Sequence, residues 1–309
     1  MTTNQTPLSC LDLLKLRPNG PLSADKLLFR GVGDRDVYNI AAPFTFGGQT
    51  LVAGRVESRD TELSEIFFFQ ETEDGWLPVP GAPVFQRLQD PCFTFVNDEL
   101  VLGGVNFPVA LPSGENIWCM VFYRGKTLAS LEPFLTGPDK MKDIRMKQLP
   151  DGRIAVLTRP QGEKGGRGTI GFMTANRLED ITAESIEAAP LFTNHFLPLE
   201  WGGANEAHIL ENGKLGVLGH IAYFDNRGHR HYYPMVFCVD PATGKATPPR
   251  IIAQRKDFPE GPAKRADLAD VIFSGGLHRH RDGTATLYAG LSDAEAGRVV
   301  IPDPFAAFE

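Results

Sequence analysis

The amino-acid sequence predicts an all-β fold, a five-bladed β-propeller, on three observations. An acidic residue opening a short apolar run, a two-residue turn signal and a second apolar run recur five times along the 309 residues. The copies stand roughly 50 to 70 residues apart, a length that suits a four-stranded blade with variable loops. The 32 glycines and 24 prolines fit a chain of short strands and many turns.

Residues 1–32 read as a lead-in, in which Leu11, Leu13, Leu14 and Leu16 precede the turn Pro18-Asn19-Gly20-Pro21. As a strand or short helix, this segment would help to close the ring. The first blade, about 33–80, holds Asp36-Val37-Tyr38-Asn39, Gly47-Gly48, Leu51 to Gly54 and the apolar strand Glu65 to Phe69. The second, about 88–137, holds Asp90 to Phe95, Asn97-Asp98, Leu100 to Gly103 and a third strand over Trp118 to Tyr123. The third, about 142–195, runs through Asp143-Ile144, Asp151-Gly152, Ile154 to Leu157 and Thr169 to Thr174, with a turn or two of helix between Leu178 and Ala188. The fourth, about 203–255, carries Glu206 to Ile209, Asn212-Gly213 and Leu215 to Leu218. The fifth, about 268–303, carries Asp270 to Phe273, Asp282-Gly283 and Ala285 to Tyr288.

Asn-Gly and Asp-Gly favour positive φ at both central residues of a primed hairpin turn, so those three turns are specific signals and Gly47-Gly48 and Asn97-Asp98 are permissive. The charged, Pro- and Gly-punctuated stretch Asp257 to Asp267 reads as a solvated linker. The loop Glu163 to Gly168 lacks the Gly-Lys-Ser/Thr ending of a phosphate-binding loop and reads as flexible. One domain over 1–309 is expected, since all-β propellers often grow as a single unit.

The net charge of −7, with scattered basic residues, excludes nucleic acid and anionic membrane as main partners. Small neutral ligands are the expected partners. Cys10, Cys92, Cys119 and Cys238 lack CxxC spacing, so they read as reduced core thiols. The N-terminal residues carry neither the basic start nor the apolar stretch of a secretory signal, and no apolar run is long enough for a bilayer. A cytoplasmic location is the expectation.

A propeller places the start of every innermost strand at one central funnel. Asp36, Asp90, Asp143, Glu206 and Asp270 would then converge there. Neighbouring carboxyls raise one another's pKa, and one protonated beside one ionised is the pair that acid-base work at a glycosidic bond requires. The plain alternative is that these acids form turns at strand starts. Asp90 precedes Pro91, which is expected to hold it in extended backbone at a fixed angle. Arg55 and Glu57 alternate onto one strand face, as a pair that binds vicinal hydroxyls or as a structural ion pair. Lys142, Asp143 and Arg145 cluster charge around the third inner strand, and Arg159 ends its hairpin partner.

The histidine pairs 229/231 and 278/280 each share a strand face but lack a supporting carboxylate or thiolate, so no metal and no cofactor are expected. His208, two residues after Glu206, is the better funnel candidate. No G-x-S-x-G nucleophile motif is present.

The order of these motifs resembles the five-bladed propeller glycosidases of the β-fructosidase-like superfamily, in particular glycoside hydrolase family 130. The whole chain resembles the related domain-of-unknown-function family 1861. Asp36-Val37-Tyr38-Asn39 is similar to the opening motif of family 130, with Ile40 in the place of a proline; Arg55-Val56-Glu57 and Ser64-Glu65-Ile66 are similar to its first-blade signature. Gln89-Asp90-Pro91-Cys92 resembles the Glu-Asp-Pro-Arg motif whose aspartate is the proton donor, which implies that role for Asp90. Lys142-Asp143 and Arg159-Pro160 resemble the pairs whose basic residues help bind phosphate or sugar. Val271 to Gly276, and Gly290-Leu291-Ser292-Asp293, resemble the fifth-blade pair, so Tyr38, Asn39, Asp270 and Asp293 join the substrate-binding candidates.

The resemblance implies an inverting hydrolase or phosphorylase of a small, mannose-containing oligosaccharide, with the sugar and, for a phosphorylase, phosphate as ligands. Cys92 in the arginine position implies weaker phosphate binding and favours water as nucleophile, with Glu206 or Asp36 as its base. A catalytically silent carbohydrate-binding propeller is the alternative. A WD-type interaction platform lacks its repeat signature.

Overall fold

The computed structural model describes residues 6–18 and 20–309. Asn19, in the expected lead-in turn, and the first five residues, where a secretory signal would start, lie outside the described residues.

The fold is all-β with a few short helices. Helix α1 (Cys10–Lys15), capped by Ser9, is followed by strand β1 (Ser23–Leu27). The first antiparallel group comprises β2 (Asp36–Tyr38), β3 (Phe44–Phe46), β4 (Gln49–Glu57), β5 (Ser64–Thr72), β6 (Gly75–Pro78) and β7 (Phe85–Gln86). The second is a meander of β8 (Leu88–Val96), β9 (Glu99–Ala110), β10 (Asn116–Gly125) and β11 (Glu132–Thr136). The third has β12 (Arg145–Gln148), β13 (Ile154–Thr158) and β14 (Gly171–Ala175). It is followed by a 3-10 turn, Leu178–Asp180, and by α2 (Ala183–Ala188), which Thr182 and Ser185 cap reciprocally.

The fourth group has β15 (Trp201–Ile209), β16 (Leu215–Phe224) and β17 (Arg230–Asp240), flanked by β18 (Lys245–Ala246) and β19 (Arg250–Ile251). The last has β20 (Asp270–Arg279), β21 (Thr284–Leu291) and β22 (Glu295–Pro302). Its outer edge is supplied by β1, which pairs with β22 from Ser23↔Val300 to Leu27↔Ala296. A short parallel contact, His231↔Asp270 and Tyr232↔Val271, joins these last two groups into one sheet.

Apolar cores lie between successive groups. Ala53, Phe68, Leu88 and Leu102 pack the first against the second, while Cys92, Met120, Ile144 and Val156 pack the second against the third. Leu157, Ala204 and Val217 share the next core, and Leu218, Ile272 and Leu287 the one after. Val37, Val52 and Phe69 meet Tyr288 and Ala296, which joins the last group to the first. Because such sheets are covered on both faces, β13 is buried at every residue, a pattern that alternation alone would not predict.

The turns reverse the expected ranking. Asn97 and Asp98 (φ 50° and 64°) and Gly47 and Gly48 (58° and 77°) are both left-handed, as a two-residue primed turn demands. At Asp151-Gly152, Asn212-Gly213 and Asp282-Gly283 only the glycine is left-handed (87°, 76° and 82°). There the hairpin closes one residue wider: Leu149 N–H donates to the Arg153 carbonyl at 2.7 Å and Gly152 N–H to the Leu149 carbonyl at 2.9 Å. Asp151, Asn212 and Asp282 each accept the N–H two residues on, a local bond that favours the wider turn.

Two loop expectations are also corrected. Asp257, in the expected solvated linker, is buried and paired with Arg17 at 2.7 Å. The glycine-rich loop closes on itself through Gly162 and Gly166, whose backbones bond in both directions at 2.9 and 2.8 Å. The four cysteines are buried, unpaired thiols. No helix among the described residues is long and apolar enough to cross a membrane.

Candidate active site

Each leading strand breaks its regular pattern at a comparable point. Asn39 and Asp143 are left-handed (φ 45° and 58°), directly after β2 and shortly before β12. Asp90 is left-handed too (φ 50°), and β8 shifts register between Gln89 and Cys92. The extended backbone expected for Asp90 ahead of Pro91 is thus not what forms. A bulge re-aims the residue, as bulges commonly do beside active sites. Strand β15 shifts register between Ala204 and Glu206, and β20 between Ser274 and Gly276. The residues at the breaks are therefore Asn39, Asp90, Asp143, Asn205 and Gly275.

Two charged centres are built on these breaks. In the first, Asp90 Oδ1 accepts from Asn39 Nδ2 at 2.8 Å and from Arg55 Nη1 at 3.1 Å. Gly290 permits this seating, because a Cβ there would meet Asn39 Oδ1 at 2.0 Å. The Arg55 guanidinium lies 4.8 Å over the Tyr38 ring and donates through Nη2 to Glu57 Oε2 at 2.6 Å. Glu57 also accepts from Tyr38 Oη at 2.7 Å, and from Ser64 and Lys264. Burial pushes the Glu57 carboxyl up, but Arg55, Lys264 and Ser64 outweigh it and hold the group below its usual range. Asp293, left-handed at φ 52°, belongs to the same centre, where Arg55 and Asp90 act on it. Burial, opposed by Arg55 and reinforced by Asp90, raises it to about 6.

The second centre is richer in cations. Asp143, 1% exposed, has Arg159 Nη1 at 3.2 Å, Arg145 Nη2 at 3.7 Å and His220 Nε2 at 3.9 Å. Burial raises the carboxyl, but Arg159, His220 and Arg145 bring it below the usual range. His220 is bonded to Asn205 Oδ1 at 2.8 Å, and burial pushes its pKa down to about 3, against the pull of Asp143. Arg159 donates to the Gly202 carbonyl and Arg145 to the Asn205 carbonyl, so both are tied to β15. A Cβ at Gly203 would come within 2.8 Å of Asp143 Oδ2 and of Arg159 Cδ. Lys142, half-buried, makes no ion pair among the described residues. Cys92 is a buried thiol raised by burial, packed against Gly103 and near both Arg145 and Asp143.

The five acids expected to converge do not form one cluster. Asp90 and Asp143 anchor separate centres. Asp36 sits at the start of β2 in a two-bond pair with Arg59 at 2.6 and 2.7 Å, outside both. Glu206 binds His208 at 2.9 Å and the Leu277 N–H at 2.6 Å, and its carboxyl is raised by burial but brought below its usual range by His208. Asp270 accepts from Tyr233 Oη at 2.6 Å and contacts His231 Nδ1 at 2.7 Å. Arg55, Glu57, Tyr38, Asn39 and Asp293 join Asp90; Lys142, Arg145 and Arg159 join Asp143. Among the described residues no group of three or more His, Cys, Asp and Glu side chains is placed to hold a metal ion. Lys264, Ser64, Asn205 and His220 were not among the expected site residues. Asn205 shows the one usable signal, an Asx residue at the strand break, which it shares with Asn39, Asp90 and Asp143.

The family model described as protein of unknown function DUF1861 matches residues 17–307. The chain belongs to the DUF1861 family. Among solved structures, this DUF1861 protein is similar to MPT-4, a mannose phosphorylase from Leishmania mexicana in complex with phosphate ion, at 36% identity over 96% of this chain and 92% of that one, with a TM-score of 0.87. It is also similar to MPT-1, a GDP-Man-dependent mannosyltransferase from Leishmania mexicana, at 32% identity over 96% and 95%, with a TM-score of 0.86. A β-1,2-mannobiose phosphorylase from Listeria innocua, at 13% identity over 96% and 95% and a TM-score of 0.64, shares the fold. A search of curated proteins finds no match.

Proposed function

We propose that this DUF1861 protein is a single-domain, five-bladed propeller that transfers a mannosyl group between a small mannoside and phosphate, with Asp90 handling the proton. Five inter-sheet cores, the last between the final strands and the first, support the five-bladed reading. The observation that carries the activity is the Asp90 carboxyl. It is buried, its Oδ1 is fixed by Asn39 and Arg55, and its Oδ2 has no hydrogen-bond partner among the described residues. A general acid needs one oxygen held and one oxygen open to the leaving group. Asp293 beside it, raised by burial to about 6, keeps a second proton-holding carboxyl in the site.

In the proposed reaction a phosphate oxygen attacks the anomeric carbon opposite the leaving oxygen. The glycosidic C–O bond breaks, the Asp90 proton goes to the leaving oxygen, and the products are an inverted sugar 1-phosphate and a shortened saccharide. Phosphate is an adequate nucleophile without a base. The case for water rested on Cys92 replacing an arginine, yet Arg145 acts on Cys92, and Arg159 and Lys142 gather with it around the neighbouring Asp143. The similarity to a mannose phosphorylase binding phosphate supports the same choice.

The experiment is product analysis with β-mannosides, with and without phosphate, and with GDP-mannose as a separate donor arm. Mannose 1-phosphate formed only when phosphate is supplied is the expected result. Free mannose formed regardless of phosphate would make the enzyme a hydrolase with Glu206 or another acid as base. Saturable sugar binding without turnover would leave the silent propeller.

A further inference from the structure

We propose that Lys264 is a positioning residue of the Asp90 centre, ending a chain of alternating charges through Glu57 and Arg55 to Asp90 while tying the loop after β4 to the turn that carries Asp293. The inference rests on the reading of Asp90 as the proton-handling group. Lys264 lies between β19 and β20, 207 residues from Glu57 along the chain. Its side chain is only 5% exposed. An ammonium has three donors, and here they face three oxygens: Glu57 Oε1, the Thr61 carbonyl at 2.6 Å and Glu62 Oε1 at 3.0 Å. Its backbone N–H donates at 2.9 Å to the carbonyl of Ser292, the residue before Asp293. One residue thus grips the loop after β4 with its side chain and the turn after β21 with its backbone.

The charges run in order from there. Glu57 lies between Lys264 and Arg55, and Arg55 in turn divides its guanidinium between Glu57 at 2.6 Å and Asp90 at 3.1 Å. Without the ammonium, Arg55 would be the main counter-charge left to Glu57, and its hold on Asp90 would slacken. Asp293 is faced by Arg55, Asp90, Lys264 and Glu62, with Tyr38 and Arg265 in the same surroundings. Lys264 is one of the two cations that restrain its rise. A lysine that merely filled space would touch neither the proton inventory nor the aim of Asp90.

Lys264→Met keeps the aliphatic stem and removes the charge; Lys264→Arg keeps the charge. In the Met variant kcat should fall by about 10²-fold, the scale set by a small misplacement of a reacting group, with KM within a few-fold of wild type. The Asp293 carboxyl, followed by ¹³C NMR and assigned with Asp293→Asn, should titrate at higher pH. The Arg variant should restore the titration and most of kcat. An unmoved Asp293 titration or an unchanged kcat overturns the proposal. The titration needs no turnover, so absence of mannoside turnover in the wild type would undo the reading of Asp90 alone. A second measurement avoids the lysine variants. In the wild type the ¹⁵Nζ resonance of Lys264 should step together with the titration of Asp293, whose carboxyl burial raises to about 6, and the step should vanish in Asp293→Asn. A flat trace in the wild type overturns the proposal as well.

Discussion

Asp90, at the bulge within β8, and Asp143, shortly before β12, are both left-handed, with φ of 50° and 58°, and both are buried. Their surroundings diverge. Asp90 has one direct cation, Arg55, shared with Glu57, and a second carboxyl beside it, Asp293, which burial and then Asp90 push toward neutrality. Asp143 has two arginines and a histidine within 4 Å and no second carboxyl in contact. One backbone device therefore serves two electrostatic ends. A surplus of carboxylates makes a place where protons are held, and a surplus of cations makes a place where an anion is welcome.

The comparison breaks first at Asp90. Asp90→Asn should lower turnover by about 10²- to 10⁴-fold, as loss of a general acid does, while circular dichroism and the thermal midpoint stay near wild type. Near-normal turnover would remove the proton role from this centre. Asp143→Ala should act on stability instead. It strands Arg145 and Arg159 without their buried counter-charge, at a cost of about 3–5 kcal/mol, measurable by urea unfolding; a loss below 1 kcal/mol would mean that the pair is solvated.

Asp293→Asn sharpens the contrast in the other direction. The folded-state value of about 6 lies above the ordinary 3.8, so this carboxyl favours folding when protonated, below about pH 4, and the benefit is lost as pH rises through 6. The asparagine variant should match wild type near pH 4 and exceed it above pH 6 by about 1–3 kcal/mol, while losing activity. Equal stability at pH 8 would show that Asp293 ionises freely. The smallest effect is expected at Asp36, whose pair with Arg59 is partly open to solvent. Asp36→Ala should cost about 1 kcal/mol or less and leave kcat within about twofold; a large kcat loss would bring Asp36 back into the chemistry.

The repeat of apolar runs and turns was legible because hairpin chemistry is local: a turn signal and its strands lie within some ten residues. Even so, Asn212-Gly213 formed a wider turn than expected, since the Asn212 side chain captures the Lys214 N–H. Asp90 and the Arg55-Glu57 pair were legible through spacing and through resemblance. The convergence of five acids was not a sound expectation, because strand starts and strand breaks differ by a few residues. Asp36 and Asp270 lie at starts, whereas Asn39 and Gly275 lie at the breaks. Lys264 left no trace in its neighbourhood of sequence, because every side-chain partner it has is at least 202 residues away.

The pairing of β1 with β22 has a consequence in time. Ser23 is synthesised long before its partner Val300. At translation rates of about 5–20 residues per second, the first strand waits roughly 15 to 55 s for its partner. Throughout that interval it is a lone edge, flanked by Leu22 and Leu28, which stay 65% and 58% exposed even in the finished fold. A bare edge of that kind can recruit another nascent chain. Asp25 and Lys26 put opposite charges in the middle of the strand, where they discourage such pairing until β22 arrives.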